Sequence, residues 1–161
     1  MALKKGYSDE ESWKVALEKV RHWCASEEHC LWDAKHKLVR LECTSSEIEQ
    51  ILQLLTEEGF IDEKRYARAF ANGKFKLFKW GKNKISSEMR MKKIPEPFIT
   101  KALESIDADT YRECLAGLLK KKKRELPGET PPAMKQKLVR FALQKGYEAE
   151  MVYSVLRMND E

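Results

Sequence analysis

The densest set of side chains able to do chemistry lies in residues 22–30, HWCASEEHC, where His22, Cys24, His29 and Cys30 stand close together and His36 follows. Imidazoles and thiolates are zinc ligands, but these spacings fit no zinc module and no C-x-x-C pair is present. Ordinary helix packing is the expectation for them, with no metal and no other cofactor. Cys43 and Cys114 complete the four cysteines, and all four are expected as reduced thiols inside helical segments. A catalytic set is missing. All three histidines precede residue 37, and there is no nucleophile elbow, no G-x-x-x-x-G-K loop and no helical H-E-x-x-H. Glu57 and Glu58 are sequence neighbours, which point apart on a helix. An enzyme is not expected.

Cations offer more. Residues 1–59 hold 8 Lys or Arg against 12 Asp or Glu, net −4; residues 60–105 hold 12 against 5, net +7; residues 106–161 hold 11 against 9, net +2. An excess of seven on a short stretch exceeds what solubility asks and suits a polyanionic partner, either nucleic acid or an acidic protein surface. Three segments share the form K-x-K-apolar: KHKLVRL at 35–41, KNKISSE at 82–88 and KQKLVRF at 135–141. Their lysine pairs, Lys35 and Lys37, Lys82 and Lys84, Lys135 and Lys137, are expected in one register of three similar units. A single exposed lysine is more often a solvated spacer than a contact, so the recurrence carries the reading. In GKFKLFKWGKNK the rings of Phe75, Phe78 and Trp80 lie among lysines, a composition that can stack bases. Docking of Trp80 at an interhelical turn is the preferred reading.

The elements that must position these groups are helices. Ser8 with Glu11 reads as a capping box ahead of a helix at about 9–25, with Trp13, Ala16, Leu17 and Val20 inside. A second helix is expected over about 28–42, and a third begins at the Thr44/Glu47 box. Gly59 supplies a left-handed stop, Phe60 folds back, and Asp62 caps a fourth helix whose inner side is read as Tyr66, Ala69, Phe70, Gly73 and Leu77. A fifth covers about 81–93, and Pro95 and Pro97 open a sixth. The seventh spans about 110–124 and ends in the run KKKKR. ELPGETPP at 125–132 is a loop whose prolines start the eighth, closed by Gly146 before the ninth. No strand pattern is long enough for a sheet.

Seven glycines, five prolines and 42% hydrophobic residues agree with an all-α chain. No apolar run approaches the roughly 18 residues of a membrane span, and MALKKGYSDEESW turns polar where a signal peptide would stay apolar; a cytoplasmic location is expected. Units of roughly 50 residues have marginal cores alone. The expected architecture is therefore an elongated tandem array of three three-helix repeats: 1–59, a strongly basic 60–106, and 107–161.

The run LLTEEGFIDEKRYARAF, then KWGKNKI and KKIPEPFITKAL, resembles the RecX family of bacterial recombination regulators. The matching positions are Gly59, Phe60, Ile61, Asp62, Glu63, Arg65, Tyr66, Ala67 and Phe70, then Lys79, Gly81 and Ile85; KQKLVRFALQKGY fits the third repeat. The resemblance implies a non-enzymatic modulator of RecA. Such a protein lies in the helical groove of the RecA filament on single-stranded DNA and inhibits strand exchange and ATP hydrolysis in DNA repair and the SOS response. It implies a monomer with no membrane partner. Lys35, Lys37, Lys64, Arg65, Arg68, Lys79, Lys82, Lys84, Lys135 and Lys137 are the candidate contacts to RecA or DNA. The acidic first unit is expected to face RecA. The alternatives are a stand-alone helical DNA-binding module and a structural helical-repeat adaptor. Lys82→Glu/Lys84→Glu is expected to weaken function at unchanged thermal stability.

Overall fold

The computed structural model describes residues 9–159, and among them nine α-helices and no strand occur. In chain order they are α1 (Asp9–Ser26), α2 (Leu31–Arg40), α3 (Ser45–Glu57), α4 (Glu63–Phe78), α5 (Lys82–Met91), α6 (Glu96–Glu104), α7 (Ala108–Arg124), α8 (Pro131–Lys145) and α9 (Ala149–Asn159). The expected Ser8 cap lies outside the described residues. The chain divides into two compact units, Met1–Tyr66 and Ala67–Glu161.

In the first unit the apolar stripe of α1 (Ala16, Leu17, Val20, Cys24) packs on Ala34 and Leu38 of α2 and on Ile48, Ile51 and Leu55 of α3. The second helix starts later than its polarity pattern suggests. Cys30 is fully buried with extended backbone (φ −97°, ψ 171°), so it serves as the N-cap and the chain before it is a connection. Thr44 and Glu47 form the expected reciprocal box, each side chain accepting the other's N–H at 3.2 Å. Gly59 takes φ +78°, the Ile61 N–H closes onto the Leu55 carbonyl at 3.2 Å, and Asp62 accepts the Arg65 N–H at 3.0 Å. The corner quoted from the sequence is built as read.

Two carboxylates of this unit titrate in opposite senses. Arg21 donates to Glu58 through Nε (2.8 Å) and Nη2 (2.5 Å) and holds that carboxyl below its ordinary 4.5. The unfolded chain then takes up the proton first, so this stabilisation is present above pH 4.5 and is lost as pH falls through the folded-state value. Glu63 accepts the Leu31 N–H at 2.7 Å, but burial raises its carboxyl, and its ionisation subtracts stability as pH climbs past 4.5. Glu58→Gln is expected to flatten the fall of the urea midpoint below pH 4.5 and leave it parallel to the parent above; an unchanged acid limb would remove Glu58 from the account.

In the second unit, α4 presents Ala67, Ala71 and Phe75 to the interior. Of the stripe read from the sequence Tyr66 is buried, but Ala69 is exposed and Leu77 is 78% exposed, which corrects those two positions. The larger residues suggested one face, whereas the small Ala67 and Ala71 allow closer helix approach and Phe75 finds the Tyr111 ring at 5.7 Å. The helices α7, α8 and α9 pack on one another around Tyr111, Leu115, Leu119, Leu138, Ala142, Val152 and Val155. Asp107 caps α7 through the Thr110 N–H (2.9 Å) and Thr130 caps α8. Gly117 of α7 has nothing within 4 Å of an added Cβ. Gly117→Ala is expected to raise stability by about 0.5–1 kcal/mol through helix propensity alone, read as a higher urea midpoint.

The middle helices end alike. A left-handed residue, Glu42 (φ 62°), Lys93 (φ 56°) or Gly146 (φ 99°), follows α2, α5 and α8. The next N–H then closes on the carbonyl five residues back: Cys43 to Leu38 (3.2 Å), Ile94 to Met89 (3.1 Å), Tyr147 to Ala142 (3.1 Å). Counted from these stops, Lys82/Lys84 and Lys135/Lys137 share a register. Lys35 and Lys37 stand four residues, about one turn, nearer their stop. The single register expected for all three pairs therefore holds for two.

A junction ties α4 and α5 to α7, α8 and α9. Gly81 N–H donates to the Lys145 carbonyl (2.8 Å) and Asn83 N–H to the Gly146 carbonyl (2.9 Å). The Tyr147 hydroxyl donates to the Lys79 carbonyl (2.9 Å). The Tyr111 hydroxyl accepts the Lys82 N–H (3.0 Å) and donates to Glu148. Both tyrosines are almost fully buried, with rings 5.0 Å apart, and burial pushes both phenols up.

Candidate nucleic-acid interface

The four-residue period of α4 sets Phe70, Lys74 and Phe78 on one face, and the turn after it adds Trp80. The Lys74 ammonium lies 5.4 Å from the Phe70 ring centre, 4.8 Å from Phe78 and 5.0 Å from Trp80. Lys84 reaches Trp80 at 4.4 Å and Lys92 reaches Phe70 at 5.8 Å. Phe78 is 51% exposed, its ring centre 6.1 Å from that of Trp80. Ring faces flanked by ammonium groups can stack on bases while the cations meet phosphates. Of this cluster the sequence reading had Phe78, Trp80 and Lys84. Lys74 lies in the same GKFKLFKWGKNK segment; Lys92 and Phe70 fall outside it, although the four-residue spacing of 70, 74 and 78 carries the signal for Phe70. Phase also removes one member: Phe75 faces the Tyr111 ring in the core.

The other candidate cations divide by what holds them. Lys35 on α2, Lys64 and Arg68 on α4, and Lys79 in the turn after α4 are exposed. Lys79 adopts φ +57°, with its carbonyl taken by Tyr147. Arg65 has structural duties: its Nε donates to Glu28 (2.7 Å) and its Nη2 to the Gly59 carbonyl (3.0 Å). Lys137 is paired with Glu129. Lys37 sits 4.9 Å from the Trp23 ring, Lys82 4.9 Å from Tyr111 and Lys135 5.9 Å from Tyr153. Lys82 and Lys84 are half-buried, and Lys84 Cβ lies where a side chain on Gly146 would go. The expectation that reversing both would leave thermal stability unchanged is therefore revised. Such a variant disturbs the junction as well as the charge, so Lys74 and Phe78 are the cleaner probes.

The histidine and cysteine segment is occupied with packing. His29 stacks on Trp23, His36 stacks on Trp32 and donates from Nδ1 to the Trp32 carbonyl (2.7 Å), and burial raises the Cys24 thiol to about 11 and Cys30 to about 12. Among the described residues no group of three His, Cys, Asp or Glu converges as a metal site, and no helix is long and apolar enough to cross a membrane.

Residues 62–103 match the second three-helix domain of RecX, and residues 109–156 match the third. The chain is 32% identical to the regulatory protein RecX of Clostridium tetani over 122 residues, which is 74% of this chain and 56% of that protein. It is 25% identical to the RecX of Halorhodospira halophila over 137 residues, 85% of this chain and 83% of the relative. It thus spans little more than half the length of the clostridial relatives and most of the Halorhodospira protein. Two solved structures share the fold. One, a crystal structure of regulatory protein RecX, has a TM-score of 0.85 at 20% identity, covering 95% of this chain and 74% of that one. The other, RecX from Lactobacillus salivarius, scores 0.84 at 16% identity, covering 93% and 97%. Two successive family domains along one all-α helical repeat chain, together with relatives that extend the match toward its N-terminus, place this protein in the RecX family.

Proposed function

We propose that this chain is a non-enzymatic regulator of RecA that binds the RecA filament on single-stranded DNA, in the filament's helical groove, and inhibits its recombinase and ATPase activities. It acts in the cytoplasm as a monomer. The observation that carries the reading is the aromatic and lysine cluster of Phe70, Lys74, Phe78, Trp80 and Lys84, on the stretch of the chain with net charge +7. A site of this composition suits a single strand whose bases can be splayed onto rings, and it needs no reaction chemistry of its own. Weak contacts on several helical units add through effective concentration once one of them forms, so modest affinity at each suffices for a periodic polymer.

Retention on bead-bound oligo(dT), with and without cognate RecA, tests the reading. Retention should rise several-fold when RecA coats the strand. Equal retention on bare DNA would favour the second reading, a helical DNA-binding module acting alone. That reading draws on Gln136, Arg140 and Gln144, which are exposed at four-residue spacing on α8 as base-reading side chains would be. It also requires sequence preference in a footprint.

A further inference from the structure

Between α7, the start of α8 and α9 lies an open groove of about 920 Å³. Its floor is aliphatic. Leu119, Leu138 and Leu156 are core residues whose outer edges it reaches, and Met134 and the 63%-exposed Met158 form its walls. Among the described residues its charged lining is Lys120, Lys123, Lys135 and Glu129, and the Glu129 carboxylate is already paired with Lys137. The KKKKR run ends α7, where cations also favour the helix dipole, but the run is not uniform. Lys122 turns to Glu125 (3.7 Å) and the Phe141 ring (5.2 Å), whereas Lys120 and Lys123, three residues apart and so on one helical face, border the groove.

We propose that this groove binds an acidic, amphipathic peptide segment of a partner protein. The segment's aliphatic side chains rest on the leucine and methionine floor, and its carboxylates pair with Lys120, Lys123 and Lys135. Charge complementarity selects the acid: three cations face the groove, and its own acid is spent. The floor selects peptide over nucleic acid, because among the described residues no aromatic ring lines it for a base to stack on, while an amphipathic helix lays leucines into such grooves. The groove shares Lys135 with the candidate contacts to RecA or DNA and none of the Phe78 cluster.

The test is anisotropy of a fluorescein-labelled helical peptide of about 16 residues, some four turns, with leucines on one face and glutamates elsewhere, titrated with the full chain. Methyl NMR of the methionines is recorded in parallel. Saturable binding is expected, with Met134 and Met158 methyls shifting and the buried Met89 methyl unmoved. Changing the peptide's glutamates to glutamine, or its leucines to serine, should weaken it about tenfold or more. Lys120→Glu/Lys123→Glu and the exposed-site variant Met158→Glu should each do the same at unchanged circular dichroism. Absence of binding, equal binding of the serine peptide, or oligo(dT) shifting Met134 and Met158 in the peptide's place would each overturn the proposal.

Discussion

Gly81→Ala is expected to lower stability by about 3 kcal/mol, a drop of about 6–12 °C in Tm for a chain of this size, and to do so with no backbone strain of its own. Gly81 has φ −76°, a value any residue adopts. The cost arises from position. A Cβ there would lie 2.2 Å from the Gly146 carbonyl carbon, 2.3 Å from the Tyr147 nitrogen and 2.4 Å from the Gly146 oxygen. Those atoms are backbone and cannot swing aside, so the two segments must separate. Separation breaks the Gly81–Lys145 and Asn83–Gly146 hydrogen bonds and lengthens the path from Tyr147 to Lys79. It also leaves the buried Tyr111 and Tyr147 hydroxyls short of partners, which is the costlier part. Gly146→Ala should be at least as damaging, since φ +99° and Lys84 Cβ at 2.3 Å add strain to the same clash. Gly73→Ala, with open space around the added Cβ, is the matched control and should be neutral or better. Urea denaturation of the three variants decides: a Gly81→Ala midpoint equal to that of the parent would mean the junction is not closed in solution.

Phe78→Ala should weaken binding to RecA-coated or bare oligo(dT) about tenfold with little change in Tm. Loss of one stacked base amounts to about 1–3 kcal/mol, so a tenfold effect sits at the low end of what the geometry allows. Stability is spared because Phe78 is already about half exposed to water. Phe78→Tyr should retain the affinity. Leu77→Ala, one position earlier and 78% exposed, is the control for nonspecific surface loss and should bind normally. Lys74→Gln acts on a different quantity. Removing one phosphate partner should reduce the slope of log affinity against log salt by about 0.7, the single-strand increment. If Phe78→Ala and Leu77→Ala bind equally well, the rings are not a stacking platform.

Local chemistry in the sequence sets most of the helix boundaries. Caps announce the helices: the Thr44/Glu47 box, Asp62 and the Gly59 and Gly146 stops all act as expected, because capping is local chemistry within four or five residues. What failed depended on contacts far along the chain. The inner face of α4 is set by a tyrosine some 36 residues later, and hydrophobicity alone ranked Leu77 above Ala71. The lysine pairs looked equivalent because three short segments share a pattern, but register is fixed by where each helix stops, and α2 stops a turn earlier relative to its pair. Gly81 and Gly146 gave no sign of meeting. Each looked like an ordinary helix terminus, and only packing revealed two bare backbones in contact. The candidate site divided in the same way: the basic character of residues 60–105 was plain from counting, while the grouping of three rings about Lys74 required the phase of α4.

Inhibition of the filament is decided by steady-state ATP hydrolysis by cognate RecA on circular single-stranded DNA with increasing amounts of this chain, run beside Phe78→Ala/Lys74→Gln. The parent should slow hydrolysis at or below one chain per RecA protomer, and the variant should need about tenfold more for the same effect. Undiminished hydrolysis at every ratio of parent to RecA would contradict the proposed inhibition.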